Sequence, residues 1–333
     1  MRKLLPLVLL AAACAKSAPA TTLATSEILT AVGDSTTIIE SVALYGGRLF
    51  TTDWTGTIWE IDPATPTPKI VGRLPVPPGS AILGEVADST GNLLIAWADS
   101  GIVWRVARCR LGAADFDPQR DAERFITGAA GANGITIAAD GHVWISGGPT
   151  GNVYHTGPTG GAAVIFAQNF SPISPDTAIG PRIYVANGAA IDSKGNFYTM
   201  NTGTGTIWRL EVKPGHQLGA ITKVAESAHL IGADGVVVGE GDTLFATQNF
   251  RNSISKISPS GEVTRLVGAG TSDSAGRRVG PGGVDLGPTG TLRFPAELVR
   301  DGKVFYIANL NFPIGFNATG HRPGATIAKV TLP

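Results

Sequence analysis

The chain has 333 residues, of which 44 are glycine, 22 are proline and only 16% are charged. Basic and acidic side chains are equal in number, at 26 each, so the composition gives no sign of a basic surface for nucleic acid. Many turn-forming residues and no long amphipathic stretch favour short strands over helices.

Residues 1–13 have the three parts of an export signal: two basic residues, an apolar run too short to span a membrane, and small residues. Cys14 follows three alanines, as in a bacterial lipobox. This pattern predicts a signal peptide over 1–13, a lipidated Cys14 and a tether over 14–26, with ordinary secretion after a cut near Ala18–Ala20 as the alternative. In both cases the protein is predicted to be exported, to the periplasm or the cell surface. Membrane contact is predicted only through the lipid on Cys14. Cys109 would then be the only thiol of the folded domain, which predicts no intrachain disulfide.

Residues 27–333 contain a repeat that recurs six times: an alternating apolar run, a turn with glycine, and a second run that ends in Thr-Ile-Trp or a related sequence. The copies begin at Ile38, Ala81, Gly131, Val185, Gly232 and Phe294. A period of roughly 45 to 60 residues with several short strands is typical of one four-stranded propeller blade. The sequence therefore predicts an all-β fold, a six-bladed β-propeller over 27–333.

The two ends of the repeat region indicate how the ring closes. The last copy has no outermost strand of its own, whereas an unmatched strand candidate beginning at Glu27 precedes the first copy. We expect this N-terminal strand to complete the sixth blade, because closure protects the edges of the sheets. Large aromatic residues at one equivalent place in the third strand are expected to fill the wedges between blades; they are Trp59, Trp104, Tyr154 and Trp208.

Polar residues occur at the predicted start of the inner strand in four of the six copies. Aligned on their second strands, the copies place these residues at one height, in chain order: Glu40, Leu83, Asn133, Asn187, Asp234 and Pro295. Inner strands surround the propeller channel, so side chains at a common height should converge on its axis. Two carboxylates and two amides meeting there require a cation or protons to offset their repulsion. Their oxygen atoms suit a hard cation, Ca²⁺ above all.

A conformational interpretation of the same residues stays open. Asn133, Asn187 and Asp234 are each followed by glycine, and such pairs are common in turns. Against a role in the hairpin turn, each copy has its own turn glycine several residues later.

The segments ANGITIAADGHVW, ANGAAIDSKGNFY and GADGVVVGEGDTLFA, preceded by Glu40, resemble the SMP-30/gluconolactonase/luciferin-regenerating-enzyme family of six-bladed propellers. The resemblance implies a metal-dependent hydrolase of a lactone or ester. It implies one divalent cation, Ca²⁺ first and Zn²⁺ or Mn²⁺ as alternatives, bound by Glu40, Asn187 and Asp234. It also assigns substrate contact to Asn133 and the role of general base to Asp234. The chain departs from the family at Ser41-Val42, where Gly-Pro is usual.

A long glycine-rich segment supplies two further candidates and an alternative function. Arg277 and Arg278, within 268–293, are predicted to meet an anionic substrate. The same segment resembles the loops of NHL-repeat propellers, so a non-catalytic propeller that binds a protein or carbohydrate partner is the alternative. The five histidines show no ligand spacing and are interpreted as separate surface residues: 142, 155, 216, 229 and 321.

Overall fold

The computed structural model describes residues 24–173, 184–268, 291–311 and 324–333. Within these ranges, 25 strands form six sheets, one for each repeat, and helical segments are few and short. The predicted all-β, six-bladed propeller is confirmed. None of the helices in these ranges is long and apolar enough to cross a membrane.

Each blade follows the chain outward from its inner strand. Blade 1 contains β2 (Ala43–Tyr45), β3 (Arg48–Thr52), β4 (Thr57–Asp62) and β5 (Thr65–Arg73). Blade 2 contains β6 (Ile82–Ala87), β7 (Leu93–Trp97), β8 (Ile102–Val106) and β9 (Ala122–Thr127), with β13 (Gly161–Ala162) added in parallel to β9. Blade 3 contains β10 (Ile135–Ile137), β11 (Val143–Ser146), β12 (Val153–Thr156) and β14 (Val164–Ala167).

The remaining blades have the same order. Blade 4 contains β15 (Ala190–Ile191), β16 (Phe197–Asn201), β17 (Thr206–Lys213) and β18 (Gln217–Glu226). Blade 5 contains β19 (Ala233–Val238), β20 (Leu244–Gln248), β21 (Ser253–Ile257) and β22 (Val263–Gly268). Blade 6 contains β23 (Pro295–Asp301), β24 (Val304–Asn309), β25 (Ala325–Thr331) and β1 (Thr25–Val32). The short helical segments are α1 (Pro118–Asp121) and 3-10 turns at Arg108–Arg110, Ala228–Leu230, Glu240–Asp242 and Asn249–Arg251.

The N-terminal strand closes the ring as the sequence predicts. β1 pairs antiparallel with β25, from Thr25 opposite Thr331 to Val32 opposite Ala325. It begins two residues before the candidate strand at Glu27. The sixth blade is thus built from both ends of the described chain, so opening it requires the two ends to separate.

The hydrophobic core is divided among the interfaces between blades. Six clusters of buried side chains each combine residues of two adjacent blades. The repeated third-strand aromatics lie in these interfaces: Trp104 and Tyr154 are buried, and Trp59 and Trp208 are partly buried against neighbouring clusters. Their repetition is therefore explained by packing.

Adjacent inner strands approach so closely that only glycine fits between them at four positions, Gly84, Gly134, Gly188 and Gly235. A Cβ at Gly134 would lie 2.6 Å from the backbone nitrogen of Ala189 in the next blade. A Cβ at Gly235 would lie 2.7 Å from Cα of Glu297. None of the four has a left-handed φ, so glycine is required at these positions by the close approach of the neighbouring strand and not by turn geometry.

Candidate functional site

Irregular inner strands position the side chains at the start of each blade. The pairing of β19 with β20 shifts register between Ala233 and Val236, which places Asp234 in a bulge. The pairing of β23 with β24 shifts between Pro295 and Leu298, which does the same for Glu297. A bulge turns a side chain away from the regular alternation of a strand. These residues can therefore face the channel from strands that otherwise bury apolar side chains between blades.

Three acidic side chains from blades 1, 5 and 6 act on one another. Burial raises the pKa of Glu40 well above its usual range, and the charges of Asp234 and Glu297 add to the effect. Burial raises the pKa of Asp234 to about 7, although hydrogen bonding by Asn249 and Asn187 offsets part of this rise. Burial and the charge of Asp234 raise the pKa of Glu297 to about 8. The three carboxyl groups form one site in which full ionisation is unfavourable without a positive charge.

The backbone joins two of these acids directly. The amide nitrogen of Glu297 donates a hydrogen bond to the carbonyl oxygen of Glu40, with a distance of 3.0 Å. A similar bond of 2.9 Å runs from the amide of Gly188 to the carbonyl oxygen of Asp234. The inner strands of blades 4 and 5, and those of blades 6 and 1, are thus held together at the height of the site.

Amide side chains complete the buried polar cluster. Asn249 donates from Nδ2 to Oδ2 of Asp234 at 2.9 Å. Asn187 donates from Nδ2 to the hydroxyl oxygen of Thr202 at 2.9 Å, and that hydroxyl donates to the carbonyl oxygen of Ala233 at 2.7 Å. These bonds engage the side-chain nitrogen of both asparagines and leave their Oδ1 atoms available as acceptors.

Several buried oxygens of this cluster have no hydrogen-bond partner within the described ranges. They are Oε2 of Glu40, Oδ1 of Asn187 and Oδ1 of Asn249. An unsatisfied buried acceptor costs about 1 to 3 kcal/mol, and more where the group is charged. A hard cation coordinates oxygen atoms of this kind, so the donor set fits the divalent ion that the sequence predicts.

The four predicted ring residues are buried at the starts of the inner strands of blades 1, 3, 4 and 5. Glu40, Asn133, Asn187 and Asp234 are all at most 5% exposed. Hydrogen bonding by Asn187 lowers the pKa of Asp234, and the charge of Asp234 raises the pKa of Glu40. Asn133 lies one blade from Asn187, and its backbone nitrogen donates a hydrogen bond to the carbonyl oxygen of Ser146 at 2.8 Å. The individual roles of these residues stay predictions.

Other predicted site residues lie outside the described ranges. These are Cys14, Arg277 and Arg278. Three neighbouring residues were not predicted from the sequence: Glu297, Asn249 and Tyr184. The pKa of Tyr184 rises to about 12 through burial and through the charges of Glu40 and Asp234. A signal for Glu297 existed: it is an acidic residue within the otherwise apolar inner strand FPAELV, as Glu85 is within ILGEVA.

The interpretation of the histidines as separate surface residues was wrong for three of them. The rings of His142 and His216 stack with centroids 3.7 Å apart, and the ring of His155 lies 5.8 Å from that of His216. Nε2 of His216 lies 2.9 Å from Oδ2 of Asp140. His216 is distant in sequence but belongs to the next blade, so adjacency in the ring brings the side chains together. These residues lie at the end of β10 remote from Asn133.

Comparison with known proteins identifies the architecture. No family model matches the chain, and no curated protein sequence matches it. Among solved structures, it resembles luciferin-regenerating enzyme with a TM-score of 0.65 and 14% identity, over 93% of this chain and 95% of that one. The chain has the fold of these propeller enzymes.

Two further structures have the same likeness. A gluconolactonase from Xanthomonas campestris has a TM-score of 0.58 and 15% identity, over 93% of this chain and 90% of that one. Virginiamycin B lyase from Staphylococcus aureus has a TM-score of 0.57 and 16% identity, over 93% of this chain and all of that one. The resemblance to gluconolactonase and luciferin-regenerating enzyme is confirmed in the fold. At these identities the activity does not follow from the likeness.

Proposed function

We propose that this propeller is a hydrolase of a lactone or ester that holds one divalent cation, Ca²⁺ by preference, with Glu40, Asn187 and Asp234. The observation that carries the proposal is the buried cluster of mutually repelling carboxyl groups with unsatisfied oxygens at the starts of the inner strands. Several carboxyl groups buried at one place also repel one another, and a bound cation would offset that repulsion. Gluconolactonase among the structural neighbours supports the substrate class.

The chemistry follows from the acidic cluster and its neighbours. When bound, the cation would polarise the substrate carbonyl and stabilise the negative charge that develops on its oxygen. Asp234 would act as general base toward the attacking water, with its carboxylate oriented by the hydrogen bond from Asn249. Glu40 and Asn187 would hold the cation in place beside it.

Substrate recognition would involve residues around this centre. Asn133 is buried on the neighbouring inner strand and offers an amide to the substrate. Tyr184 stays protonated, because its pKa is raised to about 12, and so can donate a hydrogen bond to a substrate oxygen. Arg277 and Arg278, outside the described ranges, are proposed to contact the anionic part of a substrate.

The direct test combines metal content with turnover. Protein freed of metal by a chelator should regain one Ca²⁺ per chain and should hydrolyse a member of a panel of lactones and aryl esters only after that ion is restored. Asp234→Asn should lower kcat by about 100- to 10,000-fold, the usual contribution of a general base. Asn133→Ala should act mainly on KM.

A matched control and the mass of the product make the test specific. Glu85→Gln alters a buried carboxyl group of another inner strand, one outside the proposed ligand set, and should retain the cation and turnover. Hydrolysis adds water to the product, whereas the elimination catalysed by a lyase does not. Protein that binds no divalent cation would refute the proposal. Protein that binds the cation but transforms no substrate would favour the non-catalytic alternative.

Export is the remaining part of the proposed function. We propose a periplasmic or cell-surface location with Cys14 as the lipid-bearing residue, on the basis of the N-terminal pattern. Metabolic labelling with a radioactive fatty acid, in the natural chain and in Cys14→Ser, tests this part separately from catalysis.

A further inference from the structure

A second group of polar side chains lies on the propeller face opposite the candidate active site. Asp140 and His142 belong to the turn that follows β10, and His216 belongs to the turn between β17 and β18. Asn133 and Asp140 are separated by seven residues of largely extended chain, or on the order of 20 Å. The group is therefore distinct from the carboxyl cluster at the starts of the inner strands.

The geometry of this group is that of a ligand set. One ligand atom from each of Asp140, His142 and His216 lies within 4.8 Å of the other two. Nδ1 of His142 is 3.3 Å from Oδ1 of Asp140, and it is a buried atom without a hydrogen bond in the described structure. Nε2 of His216 lies 2.9 Å from the other carboxylate oxygen. Two imidazoles and one carboxylate thus converge from two blades.

The propeller repeat indicates that the fold does not require His142. The turns after the inner strands of blades 2 and 4 have the same backbone hydrogen bonds as the turn that contains His142. In those two turns the position of His142 is occupied by Asn92 and Asn196. In those turns the asparagine donates to an aspartate four residues earlier, Asp88 or Asp192. Blade 3 has Ala138 in place of that aspartate. The aspartate–asparagine hydrogen bond of the other two turns is therefore absent from blade 3, and His142 occupies the position of the asparagine.

The hairpin of blade 4 holds the third ligand in an unusual conformation. His216 has a φ of 58°, in the left-handed region that non-glycine residues seldom adopt. This backbone conformation accompanies a ring stacked on His142 and directed at Asp140. Beneath the group, the fully buried Trp144 stacks on His155 at 5.0 Å, which gives the cluster an apolar floor. The other side of the group is open to solvent, since the side chains of Asp140, His142 and His216 are 52%, 24% and 26% exposed.

We propose that Asp140, His142 and His216 bind one transition-metal cation, Zn²⁺ in the first place, and that this ion links blade 3 to blade 4. Imidazole nitrogen with one carboxylate is a donor set that suits Zn²⁺ and its neighbours in the first transition row, in contrast to the oxygen donors of the channel. Three protein ligands leave one position for water. The site would stabilise the contact between two blades on this face.

Electron paramagnetic resonance with Cu²⁺ as the probe separates the two sites, because only this one offers nitrogen ligands. With Ca²⁺ in excess to fill the channel, one equivalent of Cu²⁺ should show hyperfine coupling to two nitrogens. Zn²⁺ should displace it and raise the melting temperature of the natural chain. His142→Asn and His216→Ala should each weaken Zn²⁺ binding by more than about 100-fold, since loss of even an outer-shell partner costs roughly 10- to 100-fold.

Two controls keep the result interpretable. His142→Asn restores the residue of the equivalent turns, so its metal-free melting temperature should match that of the natural chain. His229→Ala removes an exposed histidine of another turn and should leave Cu²⁺ and Zn²⁺ binding unchanged. The proposal is overturned if the natural chain gives no nitrogen coupling, or if the coupling persists unchanged in both His142→Asn and His216→Ala.

Discussion

Replacement of Gly188 by alanine should disrupt the contact between blades 4 and 5 that positions the candidate site. The new Cβ would collide with the carbonyl oxygen of Asp234 and lie 3.0 Å from the amide nitrogen of Val236. Both are backbone atoms, so no side chain can rotate to make room. The inner strands must separate, which weakens the 2.9 Å hydrogen bond from Gly188 to Asp234.

The expected loss of stability can be estimated from these contacts. Overpacking in a rigid interior costs about 1 to 3 kcal/mol, and weakening of one buried hydrogen bond adds about 1 kcal/mol. A loss of about 2 to 4 kcal/mol corresponds to a fall in melting temperature of roughly 3 to 6 °C, because the unfolding entropy of about 2.1 cal/mol/K per residue is summed over a folded domain of about 300 residues. The same separation moves Asn187 away from Asp234, so Ca²⁺ affinity should fall as well.

Thermal unfolding followed by near-ultraviolet circular dichroism, together with calorimetric titration of Ca²⁺, would check both effects. Gly157→Ala is the matched control, since a Cβ there meets nothing within 4 Å and the φ is not left-handed. That control should be neutral or stabilised by up to about 1 kcal/mol. If Gly188→Ala melted with the control and bound Ca²⁺ equally well, the close approach of the inner strands could not be what organises the site.

Three further outcomes are expected. The metal-free protein should lose stability as pH rises from about 5 to 8, because Asp234 and Glu297, with pKa values raised to about 7 and about 8, stay protonated in the folded chain after the unfolded chain has released these protons. Melting curves recorded with chelator should show this decline, and added Ca²⁺ should reverse it. A melting temperature that rises with pH would contradict the burial of these two carboxyl groups. Glu40→Gln should lower Ca²⁺ affinity at pH 8 by at least about tenfold, as judged by titration, since a ligand charge is lost, whereas an unchanged affinity would remove Glu40 from the ligand set. Cys14→Ser should abolish fatty-acid labelling and release the protein from membranes on cell fractionation; retained label would place the lipid elsewhere.

The repeat made the architecture predictable because a propeller blade is a local unit. Alternating apolar residues and turn glycines recur with each copy, so the six blades and the closure by β1 could be predicted from the sequence. The common height of Glu40, Asn187 and Asp234 followed from the same alignment. The glycines after Asn133, Asn187 and Asp234 were open to two explanations, and only the distances between inner strands decided between them.

The parts that escaped prediction depend on contacts between blades. Glu297 lies at a register shift of β23, where the charge of Asp234 acts on its carboxyl group, and such shifts leave little trace in a single sequence. His142 and His216 come together because their two turns are neighbours in the ring. No short spacing motif connects them, so a search for local ligand patterns could not find the cluster.

The position of the cation in the channel is the central point to establish. Crystals soaked in Mn²⁺, a divalent stand-in for Ca²⁺ with measurable anomalous scattering, would locate the ion directly. We predict an anomalous difference peak among the side-chain oxygens of Glu40, Asn187 and Asp234. A fully soaked crystal without a peak at that place would contradict the proposed metal centre and, with it, the proposed hydrolase.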